Sequence, residues 1–253
     1  MMKLESKSVY GPVWSRRFGW DLGVNLLPVN RKLCTFDCVY CQYGFTPALS
    51  NQTDGFPQAA QIIKEWEQRL AYAAALRISI YHTTVSGNGE PTMHPQFGEI
   101  VEELCALRDE VVPGVPIAVL SNASMLDRAS VREALMLVDE RYMKLDAGDA
   151  ATLRTVNGST QAFDAIVEHL SDLQDIVVQA MFVKDRAGRI DNTSEQDVGD
   201  WVARVARIGP KCVHVYSLDR TPAALGLHKV DRASLERIAS RLRAETGIEV
   251  TVY

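Results

Sequence analysis

RISIYHTTVSGNGEPTMHPQFGEIVEELCALRD, residues 77–109, decides the fold. Its first nine residues are rich in Ile, Thr and Val without clean polar alternation, the pattern of a strand buried on both faces. The small residues Ser86, Gly87, Asn88 and Gly89 then break the run. Pro95 stands where a helix begins, and 95–109 carries apolar residues at the helical period. Strand, loop and helix in that order form the repeating unit of a parallel sheet.

The same rhythm runs outward from Gln58. Strands are expected at 77–85, 117–121, 142–146, 176–183, 213–218 and 248–252, with one more at 23–27 before the series. Helices are expected at 58–75, 95–109, 128–138, 162–173, 195–208 and 232–246, with Ser194 and Asp231 at helix starts. The stretch 185–192 reads as an exposed turn. The expected class is α/β with parallel strands, a barrel or partial barrel over one domain, 1–253: an arm at 1–22, a core at 23–218, and a final helix and strand at 219–253. In such barrels the chemistry gathers in the loops after the strands.

Composition narrows the function. Hydrophobic residues make up 47% and charged residues 23% of 253 residues, enough apolar sequence for a sizeable core. The net charge of −5 argues against a broad basic surface and therefore against DNA as a partner. No run reaches the ~18–20 apolar residues that span a bilayer, and the first 20 residues lack a secretory apolar segment. A cytoplasmic protein without a membrane partner is expected.

Five cysteines are an odd number, and three crowd into Cys34-Thr-Phe-Asp-Cys38-Val-Tyr-Cys41. This suits metal ligation in a reducing compartment better than a disulfide framework. A cubane held by three thiolates keeps one iron open for an outside ligand, whereas structural zinc requires a fourth protein ligand. Only Cys105, His82 or Cys212 could supply one, through the fold. A non-catalytic iron–sulfur protein and a zinc-stabilised module stand beside the catalytic reading.

With Tyr40 just before its last cysteine, the C-x₃-C-x₂-C segment resembles that of the radical S-adenosylmethionine (SAM) superfamily. The loop Ser86-Gly87-Asn88-Gly89-Glu90-Pro91-Thr92 resembles that family's Gly-Gly-Glu segment, with Asn88 in the middle place. Leu120-Ser121-Asn122-Ala123-Ser124 and Lys144-Leu145-Asp146-Ala147-Gly148-Asp149 resemble segments that face SAM and substrate. The resemblance implies a partial (β/α)6 TIM-like radical SAM barrel. It also implies a [4Fe–4S] cluster on Cys34, Cys38 and Cys41, and SAM bound among Tyr40, Gly87, Asn88, Gly89, Glu90, Pro91, Ser121, Asn122, Asp146 and Gln179. Glu90 is the expected contact to the SAM ammonium. Asp146 stays open between a ligand contact and a helix cap, and Met181 and Val183 between the adenine and the core.

The implied activity is reductive cleavage of SAM to a 5′-deoxyadenosyl radical that abstracts hydrogen from a small-molecule or nucleoside substrate. A reductant such as flavodoxin or ferredoxin would supply the electron. The segments 10–19, 22–28 and 213–222 further resemble a short prokaryotic branch related to the catalytic half of the tRNA wybutosine-synthesis enzyme, which makes tRNA the alternative substrate. The sequence departs from that enzyme in having no flavodoxin-like stretch and no second cysteine set. Candidates on the substrate side are Tyr216 and Arg220, with Arg16 and Arg17 as contacts across the barrel mouth or as a solvated arm. His94 is the histidine that stands closest to the SAM loop in sequence.

Overall fold

The computed structural model describes residues 2–15, 17–47 and 55–253. An eight-stranded sheet runs β1-β2-β3-β4-β5-β6-β8-β10. Strands β2 (Gly19–Val24), β3 (His82–Val85), β4 (Ile117–Ser121), β5 (Glu140–Lys144), β6 (Ile176–Met181), β8 (Cys212–Tyr216) and β10 (Glu249–Val252) are parallel neighbours. Strand β1 (Val9–Ser15) pairs antiparallel with β2 and is one end of the sheet, β10 the other. A small antiparallel pair, β7 (Val183–Asp185) with β9 (Leu227–Lys229), lies apart.

Helices α1 (Ala59–Ala75), α2 (Phe97–Val111), α3 (Ala129–Leu137), α4 (Ala150–Asn157), α5 (Phe163–Ser171), α6 (Glu195–Ile208) and α7 (Arg232–Thr246) fill the crossovers. The apolar faces explain their place: α1 buries Ala59, Ile62, Trp66, Leu70 and Ala73 at helical spacing. Trp66 and Trp201 of α6 are the largest fully buried side chains, and each satisfies its indole nitrogen, on Thr83 Oγ1 at 3.1 Å and on the Leu145 carbonyl at 2.9 Å. Ser194 and Asp231 cap α6 and α7 as expected, and Gly209 and Gly247 end them in the left-handed region.

The parallel α/β sheet with covering helices agrees with the sequence reading, and the differences are local. Residues 1–22 were expected as an arm, but Val9–Ser15 forms β1 and Gly19–Val24 forms β2. Asn25 ends β2 early because its side chain takes over the turn: Oδ1 accepts from Leu27 N at 3.1 Å and Nδ2 donates to the Leu27 carbonyl at 2.9 Å. The strand expected at 77–85 begins only at His82, since the chain reverses through Arg77 at φ +56° to close α1. Helix α4 was not foreseen. Its eight residues are held by Asp149, whose carboxylate accepts from the amides of Ala151 and Thr152.

Register places the inner face. Lys144, Gln179 and His214 are partners along one row across β5, β6 and β8, so their side chains share a face, with Tyr216 one step further along β8. Phe18, Tyr142, Ala118 and Val177 form a separate buried cluster nearer the N-terminal ends of these strands.

Candidate functional site

The cysteine loop follows β2 and is fastened to two other loops. Leu33, the residue before Cys34, bridges Gly89 in parallel; its amide donates to the Asn88 carbonyl at 2.9 Å and its carbonyl accepts from Glu90 N at 3.0 Å. The SGNGE loop is therefore laid directly against the start of the cysteine loop. Only glycine fits at 89, where φ is +149° and a Cβ would stand 1.6 Å from the Leu33 carbonyl oxygen. On the other side Asp37 N donates to the Asn157 carbonyl and Val39 N to that of Val156, docking the last turn of α4 onto the loop.

Asn88 and Glu90 are wholly enclosed. Asn88 Nδ2 donates to the carbonyls of Glu5 and Pro28, and its Oδ1 accepts from Glu5 N. Glu90 Oε1 accepts from Thr92 N at 3.1 Å, Thr92 Oγ1 at 2.5 Å and Ser121 Oγ at 2.8 Å, while Oε2 accepts from Asn122 N at 2.6 Å. Burial raises its pKa against the pull of these donors. Glu90 joins the loop to the end of β4 and caps the short 3₁₀ turn Pro91–Met93, with Pro91 at its first position.

Asp146, just after β5, is at the centre of the site. Its Oδ2 accepts from Asn157 Nδ2 at 2.6 Å and from the Tyr40 hydroxyl, and Oδ1 accepts from Met181 N at 2.7 Å and pairs with Lys144 Nζ at 3.2 Å. It is not a helix cap; Asp149 has that role. Lys144 Nζ donates to the Tyr216 hydroxyl at 2.8 Å and lies 4.9 Å from the ring centroids of both Tyr40 and Tyr216. Burial opposes the ammonium, but Asp146 and Tyr216 more than offset it, so its pKa is raised. The Tyr216 hydroxyl also reaches Gln179 Oε1 at 3.4 Å, and the buried Gln179 Nε2 has no partner.

The thiols of Cys34 and Cys38 receive side-chain amides: Asn122 Nδ2 lies 3.6 Å from Cys34 Sγ and Asn157 Nδ2 3.3 Å from Cys38 Sγ. Burial, then the Asp146 charge, pushes the Cys38 thiol up to about 11, and burial raises that of Cys34 too. A metal held there would displace those protons. Among the described residues no three His, Cys, Asp or Glu side chains group as one metal ion requires. Three thiols on one loop, with amide donors already aimed at two of them, fit a larger cluster.

The structure thus brings the expected residues together in two sets of side-chain contacts, Cys34 with Glu90, Ser121 and Asn122, and Cys38 with Tyr40, Asp146, Gln179 and Tyr216. Arg220 joins neither: exposed, it meets the Met2 sulfur, and its charge bears on Glu5 and Tyr43. Arg17 precedes β2 with its guanidinium over the rings of Phe18, Tyr216 and Tyr253; Arg16 lies outside the described residues. His94 is a brace, accepting from Gln96 N at Nδ1 and donating from Nε2 to the Pro57 carbonyl. Met181 and Val183 pack with Val39, Tyr40 and Leu218.

Two residues escaped the sequence reading, and Lys144 entered it only as the first residue of the segment ending at Asp149. Asn157 sat in an unforeseen helix, and Asn192 fell in an expected exposed turn. Asn192 is buried and donates to the Asp146 and Met181 carbonyls, both at 2.9 Å.

A UPF0026 protein of Synechocystis sp. is 38% identical over 151 residues, 59% of this chain and 52% of that protein. The chain spans 35% to 52% of the length of the curated relatives it matches. The fold is shared with a radical SAM methyltransferase from Sphaerobacter thermophilus (TM-score 0.69, 15% identity, 92% of this chain and 65% of that one). It is shared also with TYW1 in a structure with a lysine–pyruvate adduct bound (TM-score 0.60, 15% identity, 89% and 74%). The Radical SAM superfamily model matches residues 32–186, more than half of the chain. The chain belongs to the radical SAM superfamily, enzymes whose cofactors are a [4Fe–4S] cluster and S-adenosylmethionine.

Proposed function

We propose that this chain holds its cluster on Cys34, Cys38 and Cys41 and cleaves SAM reductively, directing the resulting 5′-deoxyadenosyl radical at hydrogen on a small-molecule or nucleoside substrate. The observation that carries the reading is the parallel bridge between Leu33 and Gly89, which sets the SGNGE loop against the residue preceding Cys34. A protein that only transferred electrons has no use for a glycine cradle beside its cluster.

When bound, the cluster and SAM supply the electron transfer and the bond cleavage. The chain's own residues supply position and enclosure. Gly87 and Gly89 let the loop close onto Asn25 and Leu33 beside the cysteine loop, with Glu90 fastening it through Ser121 and Asn122. Tyr40, Asp146, Lys144, Tyr216 and Gln179 line the route from the cysteine loop to the inner face of β5, β6 and β8. Gln179 offers an unpartnered amide donor there, suited to an acceptor oxygen on a substrate. The acidic net charge favours a small substrate over tRNA, with a flavodoxin or ferredoxin in the cytoplasm as reductant.

The test is anaerobic reconstitution with iron and sulfide, then dithionite and SAM. The expected result is a reduced-cluster paramagnetic signal that shifts on adding SAM, with 5′-deoxyadenosine formed and lost in Cys38→Ala. A cluster whose signal ignores SAM would return the chain to the electron-transfer reading.

A further inference from the structure

We propose that Asn122 and Asn157 set the reduction potential of the cluster, each acting as a positioning residue through an N–H···S hydrogen bond to one cysteine. This rests on the assignment of the cluster to Cys34, Cys38 and Cys41.

The two amides come from separate elements, Asn122 from the end of β4 and Asn157 from the last turn of α4, and neither belongs to the cysteine loop. Both side chains are buried and held on other groups. Asn122 Nδ2 also donates to Thr35 Oγ1 at 2.9 Å, and its Oδ1 accepts from Ser124 N at 3.0 Å. Asn157 Nδ2 also reaches Asp146 Oδ2 at 2.6 Å and the Tyr40 hydroxyl at 3.1 Å.

The orientation of Asn157 is fixed by what the alternative would do. Its Oδ1 is buried with no partner. Turning the amide over would aim that oxygen at the Asp146 carboxylate and the Cys38 sulfur, an acceptor against acceptors, so the NH₂ faces the thiolate. An unpartnered acceptor is tolerated here to keep the donor on sulfur.

Reduction adds one negative charge, shared with the thiolates. A donor fixed on a sulfur therefore stabilises the reduced cluster more than the oxidised one, and the more so in a site closed to water. Asp146 works in the opposite sense, and Asn157 stands between that carboxylate and Cys38 with a proton for each.

The test is a potentiometric titration of the anaerobically reconstituted full chain, followed by the paramagnetic signal of the reduced cluster without SAM. Wild type is compared with Asn157→Ala, the near-isosteric Asn157→Leu, and Asn122→Ala. Each variant is expected to be about tenfold harder to reduce, a shift of about 59 mV to more negative potential for one electron. The double variant Asn122→Ala/Asn157→Leu should show the two shifts added, because they act on different cysteines.

A role confined to folding would lower iron content or unfolding midpoint while leaving the potential of the loaded fraction in place. Variants that titrate at the wild-type potential overturn the proposal and leave the radical SAM reading standing. A wild-type chain that takes up no cluster overturns both.

Discussion

Leu33 and Gly89 run side by side as a parallel bridge so close that a Cβ on Gly89 would lie 1.6 Å from the Leu33 carbonyl oxygen. The obstacle is backbone, and no rotamer change relieves it. Gly89→Ala is expected to destabilise by about 1–3 kcal/mol or more through overpacking and to abolish the SAM-induced change in the cluster's signal. Gly188→Ala, at φ +68° with open space around it, is the comparison in which the added Cβ meets no neighbour. Urea midpoints of the two variants separate the effects.

Lys144 and Asp146 are an enclosed pair, and removing one partner strands the other's charge. Lys144→Met is expected to cost about 3–5 kcal/mol in urea unfolding. Lys144→Met/Asp146→Asn should recover most of that loss, since the amide needs no counter-charge. A double variant as unstable as the single one would show that the ammonium matters for its contacts with Tyr40 and Tyr216 instead.

Asp21 is buried on β2, where it accepts from Thr84 Oγ1 at 2.9 Å. Burial raises its pKa to about 6, opposed by Thr84, His82 and Arg17. A carboxyl raised in the folded state binds a proton there that the unfolded chain has already released, so folding stability falls as pH rises from about 4 to about 6. The loss is of order 3 kcal/mol at most, at ~1.4 kcal/mol per unit. Asp21→Asn should flatten this stretch of the stability curve, as followed by thermal unfolding across buffers; an unchanged slope would assign it to another group.

Trp201 stands edge-on to Phe182 and gives its indole N–H to the carbonyl of Leu145, the residue between Lys144 and Asp146. Trp201→Phe keeps an aromatic ring but leaves that carbonyl unpaired. A loss of about 1–3 kcal/mol is expected, with the Lys144–Asp146 geometry loosened as well. Calorimetric unfolding and the cluster potential read the two consequences separately.

The sequence by itself determined the parallel α/β order, because buried strands must be apolar throughout and their crossover helices must repeat an apolar face; Glu195–Ile208 and Arg232–Thr246 are found at the expected bounds. It also carried the resemblance that implies the cofactors, since thiols at C-x₃-C-x₂-C spacing and the glycines of SGNGE are local signals. What only the tertiary structure decided is which polar groups meet. Lys144, Asn157 and Gln179 come from three elements, and Tyr40 and Asp146 from two loops; their partnership depends on strand register and on how the last turn of α4 docks. No spacing in the chain encodes those contacts. Glu90 shows the difference most plainly: its place after two glycines is a local signal, whereas its bonds to Ser121 and Asn122 depend on how the loop meets the end of β4.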